Sequence, residues 1–138
     1  MVDFTTPIGQ KIRQRLDQEQ IIWLTTVDAR HTPQPRPVWF HWDGNTILIF
    51  SQVIGAKVRH IANNPHVALN FNTDGEGGEV GVVIGEGVVS KEPVPAGRMQ
   101  AYLEKYEQGI RDIGLTPESM LAEYPVVILV TPLSVRGF

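Results

Sequence analysis

The sequence predicts a mainly β fold, a small closed or split β-barrel of six to seven mostly antiparallel strands with three to four short helices. Three observations point there. Short β-branched and aromatic segments recur along the chain and are joined by tight turns, which makes neighbours pair antiparallel. The segment "VGVVIGEGVVSK" at 80–91 carries interior glycines of the kind that mark bulges, barrel corners or close backbone approach. The regular strand–helix alternation of a doubly wound sheet is missing.

The elements follow in order. Thr6-Pro7 reads as an N-cap and first helical residue, and Ile8, Ile12 and Leu16 then lay an apolar stripe on a short helix. "IIWLTTVD" at 21–28 and "QPRPVWFHW" at 34–42 read as strands around a polar turn. Pro35 and Pro37 cannot donate to a ladder, so their end of the second strand belongs at an edge or a bulge. Asp43-Gly44-Asn45 is a hairpin turn into "TILIFS". Gly55 to Asn63 is a short helix stopped by Asn64-Pro65, and "HVALNFNT" is a strand with Val67, Leu69 and Phe71 on one face. The long glycine-bearing strand comes next. Met99, Tyr102, Leu103 and Tyr106 have helical spacing over 96–108, and a smaller helix starts at Thr116-Pro117. "VVILVTP" and "LSVRGF" add one or two final strands.

Composition narrows the function classes. A chain of 138 residues with no linker or repeat reads as a single domain over 1–138. Its apolar share of 42% and charged share of 20% are those of a globular protein, and a domain this small often gains from dimerisation. A net charge of -3 argues against nucleic acid as a partner. No stretch is long and apolar enough to span a bilayer, and the N-terminus lacks a signal-peptide pattern. The absence of cysteine removes thiol chemistry and is compatible with the cytoplasm.

Several motifs carry no chemistry. "GEGGE" at 75–79 is a hairpin loop, since no helix follows to make a dinucleotide fingerprint. His31, His41, His60 and His66 lack metal-ligand spacing, so no metal is expected. No serine sits in a nucleophile elbow.

The stretch "FSQVIGAKVRHIANNP" at 50–65 is different. Cations at a helix N-terminus cost about 0.3–1 kcal/mol each, yet Lys57 and Arg59 stand there. Helix N-termini bind anions, so Ser51, Lys57 and Arg59 could hold a phosphate; two solvated surface cations account for the same residues. Arg36 to Trp42 is the second such stretch. Pro35 and Pro37 leave strand carbonyls without neighbouring donors, and Trp39, Phe40 and Trp42 supply flat apolar area, which suits a planar heterocycle and equally a core strand with edge prolines.

Taken in order, "TTVDARHTPQPRPVWFHWDGNTILIFS", "KVRHIANNPHVALNF" and "VVIGEGVV" resemble the pyridoxamine 5′-phosphate oxidase-like family, the split-barrel flavin and deazaflavin proteins, over most of residues 21–91. "PVWFHWDG" with "KVRHIANNP" looks most like the F420-dependent branch. The resemblance implies the FMN-binding type of split barrel and a homodimer with the cofactor in a groove between subunits. It implies that Ser51, Lys57 and Arg59 hold the cofactor phosphate and that the ring lies along Pro37, Val38 and Trp39 through backbone contacts. The partner subunit closes the site, with Arg136 a candidate. Coenzyme F420 is the expected cofactor, passing a hydride to or from a small unsaturated organic molecule; FMN, or a non-catalytic flavin or tetrapyrrole carrier, is the alternative. No side chain is required as general acid, and His41 is the one considered. The oxidase subgroup's C-terminal Arg-x-x-x-Trp-type segment is not found, so pyridoxamine phosphate oxidation is not expected.

Overall fold

The computed structural model describes residues 2–138. Helix α1 (Pro7–Gln18) begins at Thr6, whose hydroxyl accepts from the Gly9 N–H at 3.0 Å, and it buries Ile12 and Leu16. Strands β1 (Ile22–Val27), β2 (Pro33–Val38), β3 (His41–Trp42) and β4 (Ile47–Ser51) lead to helix α2 (Ala56–Asn63). Strands β5 (His66–Asn70) and β6 (Gly81–Ser90) precede helices α3 (Ala96–Lys105), α4 (Glu107–Asp112) and α5 (Pro117–Glu123), and β7 (Val126–Gly137) closes the chain. The seven strands form one antiparallel sheet in the order β2-β1-β5-β6-β7-β4-β3, curled into a half-barrel.

The segment 34–42 is not one strand. It divides into β2 and β3, which occupy the two opposite edges of the sheet. Between them the Phe40 N–H donates to Tyr106 Oη at 2.8 Å, and Lys105 Nζ donates to the Phe40 carbonyl at 2.8 Å. Side chains from α3 and its C-cap thus satisfy the backbone where no strand can, as a buried peptide group requires. The same anchorage interrupts the helix expected over 96–108, which breaks at Tyr106 into α3 and α4. The closing stretch is a single strand.

The apolar residues form two cores. Ile47 and Ile49 of β4 face the barrel interior with Leu24, Phe40, Leu69, Ile128 and the stripe of α1. Leu48 and Phe50 face the other way, under α3, α4 and α5 with Tyr102, Tyr106, Ile110 and Met120. Strand β4 is therefore covered on both faces, which explains why "ILIF" is continuously apolar rather than alternating. The glycines of β6 serve close approach: a register shift falls at Ile84/Gly85, and a Cβ on Gly85 would lie 2.7 Å from the Thr131 carbonyl oxygen. Among the described residues no helix is long and apolar enough to cross a membrane.

Candidate functional site

Two cavities meet at one lysine. The first, of about 250 Å³, lies between the exit of β2 and the helical layer. It is lined by Pro37, Val38 and Trp39 from the end of β2 onward, Phe50 of β4, and Tyr102, Met120 and Tyr124 from the helical layer. Trp39 is held in place by stacking on Tyr106, with ring centroids 4.6 Å apart and planes 5° from parallel. Tyr106 is itself fixed by its hydroxyl, which accepts from Phe40 N–H and donates to the Gln20 carbonyl at 2.7 Å.

The second cavity, of about 240 Å³, lies on the inner face of β1 and β2 beneath α2. The register places Gln34, Arg36 and Val38 opposite Thr26, Leu24 and Ile22, so the buried face of β1 continues across β2 as Val38, then Arg36, then Gln34. Helix α2 turns Lys57, His60 and Ile61 toward this face, as residues three and four apart must share a side. Lys57 lines both cavities. His60 Nδ1 lies 2.8 Å from Thr26 Oγ1. Burial, and then the positive charge of Arg36, push the Lys57 amine below the usual lysine range. No carboxylate lines the second cavity.

The residues singled out in the sequence are only partly brought together. Pro37, Val38, Trp39 and Lys57 share the first cavity. Arg59 does not join Lys57: two helical positions are about 200° apart, and the exposed Arg59 guanidinium instead donates to the Ile54 carbonyl at 3.3 Å. Ser51 has the parity of Ile47 and Ile49, is fully buried, donates its hydroxyl to the Gln52 carbonyl at 3.3 Å, and lines neither cavity. Arg136 sits opposite Val82 on the outward face of β7 and lines neither cavity. His41, the proton donor considered from the sequence, lines neither cavity. It lies on β3 at the far edge of the sheet, and its Nδ1 accepts from Arg98 Nε at 3.1 Å.

The family model described as pyridoxamine 5′-phosphate oxidase matches residues 8–137. The chain belongs to the pyridoxamine 5′-phosphate oxidase family. Among solved structures similar to this family member, an F420 reductase is 28% identical, with 90% of this chain and 94% of that chain covered and a TM-score of 0.67. A Listeria innocua protein provisionally named a pyridoxamine 5′-phosphate oxidase is 25% identical over 92% and 94% of the two chains, with a TM-score of 0.65. The Vibrio cholerae heme storage protein HutZ shares the fold at a TM-score of 0.71 and 13% identity, over 96% and 95% of the chains. No curated protein sequence matches the chain.

For this member of the family, sequence reasoning missed Arg36, His60, Tyr102 and Tyr124. Arg36 carried a readable signal, being two residues from Val38 on one face of an extended segment. His60 is three residues after Lys57 on a helix. The two tyrosines had none, because their approach to β2 depends on how the helical layer packs.

Proposed function

We propose that the protein is an F420-dependent oxidoreductase that works as a cytoplasmic homodimer. The observation that supports this most is the shared lysine: an aromatic slot of about 250 Å³ and a cation-lined pocket of about 240 Å³ meet at Lys57. A planar ring tethered to an anion matches that pairing of surfaces. The charges of Arg36 and Lys57 disfavour each other with no carboxylate in the lining, so the pocket is matched to an anion. Similarity to an F420 reductase at 28% identity favours the deazaflavin over FMN, which has the same two chemical ends.

When bound, the deazaflavin supplies the hydride, and the chain's part is placement. Pro37, Val38 and Trp39 form a rigid wall for the ring, Lys57 neutralises the tail, and Phe50, Tyr102 and Met120 keep water from the reacting face. The groups of the aromatic slot that can donate a proton are the Lys57 amine and the Tyr102 and Tyr124 phenols, so the proton that completes reduction of an unsaturated acceptor comes from one of these or from solvent. Dimerisation is favoured by Val88 and Leu133, 54% and 43% exposed on β6 and β7; Arg136 lies on the outward face of the same sheet.

The test is equilibrium titration of the wild type and Lys57→Ala with F420 and with FMN. F420 binds the wild type more tightly, and the substitution weakens it about tenfold or more, the loss expected for one charge-assisted hydrogen bond. Unchanged affinity for both cofactors in Lys57→Ala would remove the reading. Tight binding with no turnover of any acceptor would leave a carrier rather than an enzyme.

A further inference from the structure

The second cavity contains a group that the reading above leaves unused. His60 lines it beside Lys57, and one ring nitrogen, Nδ1, is engaged by Thr26 Oγ1 at 2.8 Å. The other, Nε2, has no protein partner among the described residues. The charged groups facing the ring can be named from each element around it. Arg36 comes from β2 and Lys57 from α2. Asp28, at the end of β1, has its carboxylate occupied by the N–H groups of Arg30 and Thr32 and the amide of Gln34. An anion placed between Arg36 and Lys57 would give an Nε2–H somewhere to donate.

We propose that His60 is the proton-taking ligand of a phosphate ester seated between Arg36 and Lys57, so that anion binding is coupled to proton uptake on the ring. The Thr26 hydroxyl serves both states: it donates to Nδ1 when the ring is neutral and accepts from Nδ1–H when it is charged. The coupling is reciprocal. A bound anion stabilises the charged ring, and a charged ring tightens the anion. Cofactor retention therefore strengthens as acidification supplies that proton and weakens on the alkaline side. This rests on the cofactor reading above and adds a proton to it.

Three probes test it on the intact protein: F420, FMN, and riboflavin, which keeps the ring of FMN and lacks the phosphate. Affinity is measured between about pH 8 and about pH 5.5 for the wild type and His60→Gln, whose amide keeps a polar contact to Thr26 and cannot be protonated. The ratio of wild-type to His60→Gln affinity for F420 or FMN rises about tenfold on acidification, the gain that corresponds to one proton stabilised by about one pH unit. The same ratio for riboflavin stays flat. Calorimetry at pH near 7 in two buffers of different ionisation enthalpy finds a fraction of a proton taken up with the cofactor by the wild type and less by His60→Gln. Parallel pH curves for the two proteins, or an equal rise with riboflavin, would overturn the role of His60 alone. Failure of F420 and FMN to bind the wild type at any pH would instead remove the cofactor reading, and this proposal with it.

Discussion

Gly109 shows how a single missing side chain shapes the site. A Cβ added there would lie 3.0 and 3.1 Å from Trp39 Cζ2 and Cη2, and the ring cannot retreat because Tyr106 stacks on its plane. Two effects compete in Gly109→Ala. Alanine gains about 1 kcal/mol of helix propensity, while overpacking a fixed ring costs about 1–3 kcal/mol. The second is larger, so the variant unfolds at lower denaturant and its tryptophan fluorescence shifts. Gly97, also helical, has nothing within 4 Å of its added Cβ, so Gly97→Ala is neutral or slightly stabilising. Equal denaturation midpoints for the two variants would show that Trp39 is not wedged. Sequence spacing alone could not pair Gly109 with Trp39, since nothing local relates a helical glycine to a residue 70 positions earlier.

At β2 the pairing register explains the prolines. Val38, Arg36 and Gln34 face Ile22, Leu24 and Thr26, while Pro37, Pro35 and Pro33 face Trp23, Thr25 and Val27. Proline cannot exchange two hydrogen bonds with a partner, so the ladder must run through the even-numbered residues. The free edge of β2 then offers the carbonyls of Pro33, Pro35 and Pro37 and not one N–H. Such an edge cannot template another strand, and it can accept from a ligand's N–H. Replacing Pro33 and Pro35 by threonine restores two donors and raises β propensity. Light scattering should then show concentration-dependent association beyond the wild-type state, with folding stability lowered by only about 1 kcal/mol. The sequence reading put Pro35 and Pro37 at an edge or a bulge, and β2 is an edge strand. That reading could not show that 34–42 serves both edges of the sheet, because the division at Trp39-Phe40 depends on partners supplied by Lys105 and Tyr106.

The seam between α3 and the barrel also sets how the whole molecule responds to pH. Lys105 reaches across it to the Phe40 carbonyl, and burial, outweighing the nearby Asp17 and Glu19, lowers its amine to about 8. The unfolded amine titrates near 10.4, so between about pH 8 and 10.4 the unfolded chain holds a proton the folded one has lost, and stability rises with pH. Tyr102 and Tyr106 act oppositely: burial pushes both phenols up, so above about pH 10 the unfolded chain ionises first and stability falls. On the acid side, burial and then Arg98 and Lys105 hold His41 below the usual histidine range, so stability falls as pH drops through about 6.5. Denaturant melts should therefore find a maximum near about pH 10, where the lysine rise gives way to the tyrosine fall. Lys105→Met shrinks the rise between about pH 8 and 10, leaving what the lowered Lys57 amine contributes, and keeps the alkaline fall in place. A rise of unchanged size in Lys105→Met would assign it to another group.

Periodicity, caps and turn residues sufficed for the class of fold and most of the order of the elements, because each is encoded within a few neighbouring positions; the pairing of Lys57 with Pro37, Val38 and Trp39 was what the family resemblance implied. Which cations converge was settled by assembly. Lys57 and Arg59 are close in the chain and diverge on the helix, whereas Arg36, Lys57 and His60 come from a strand edge and a helix face that meet when the sheet curls. Local patterns record which face of an element is apolar, and only the pairing of elements brings those faces into register.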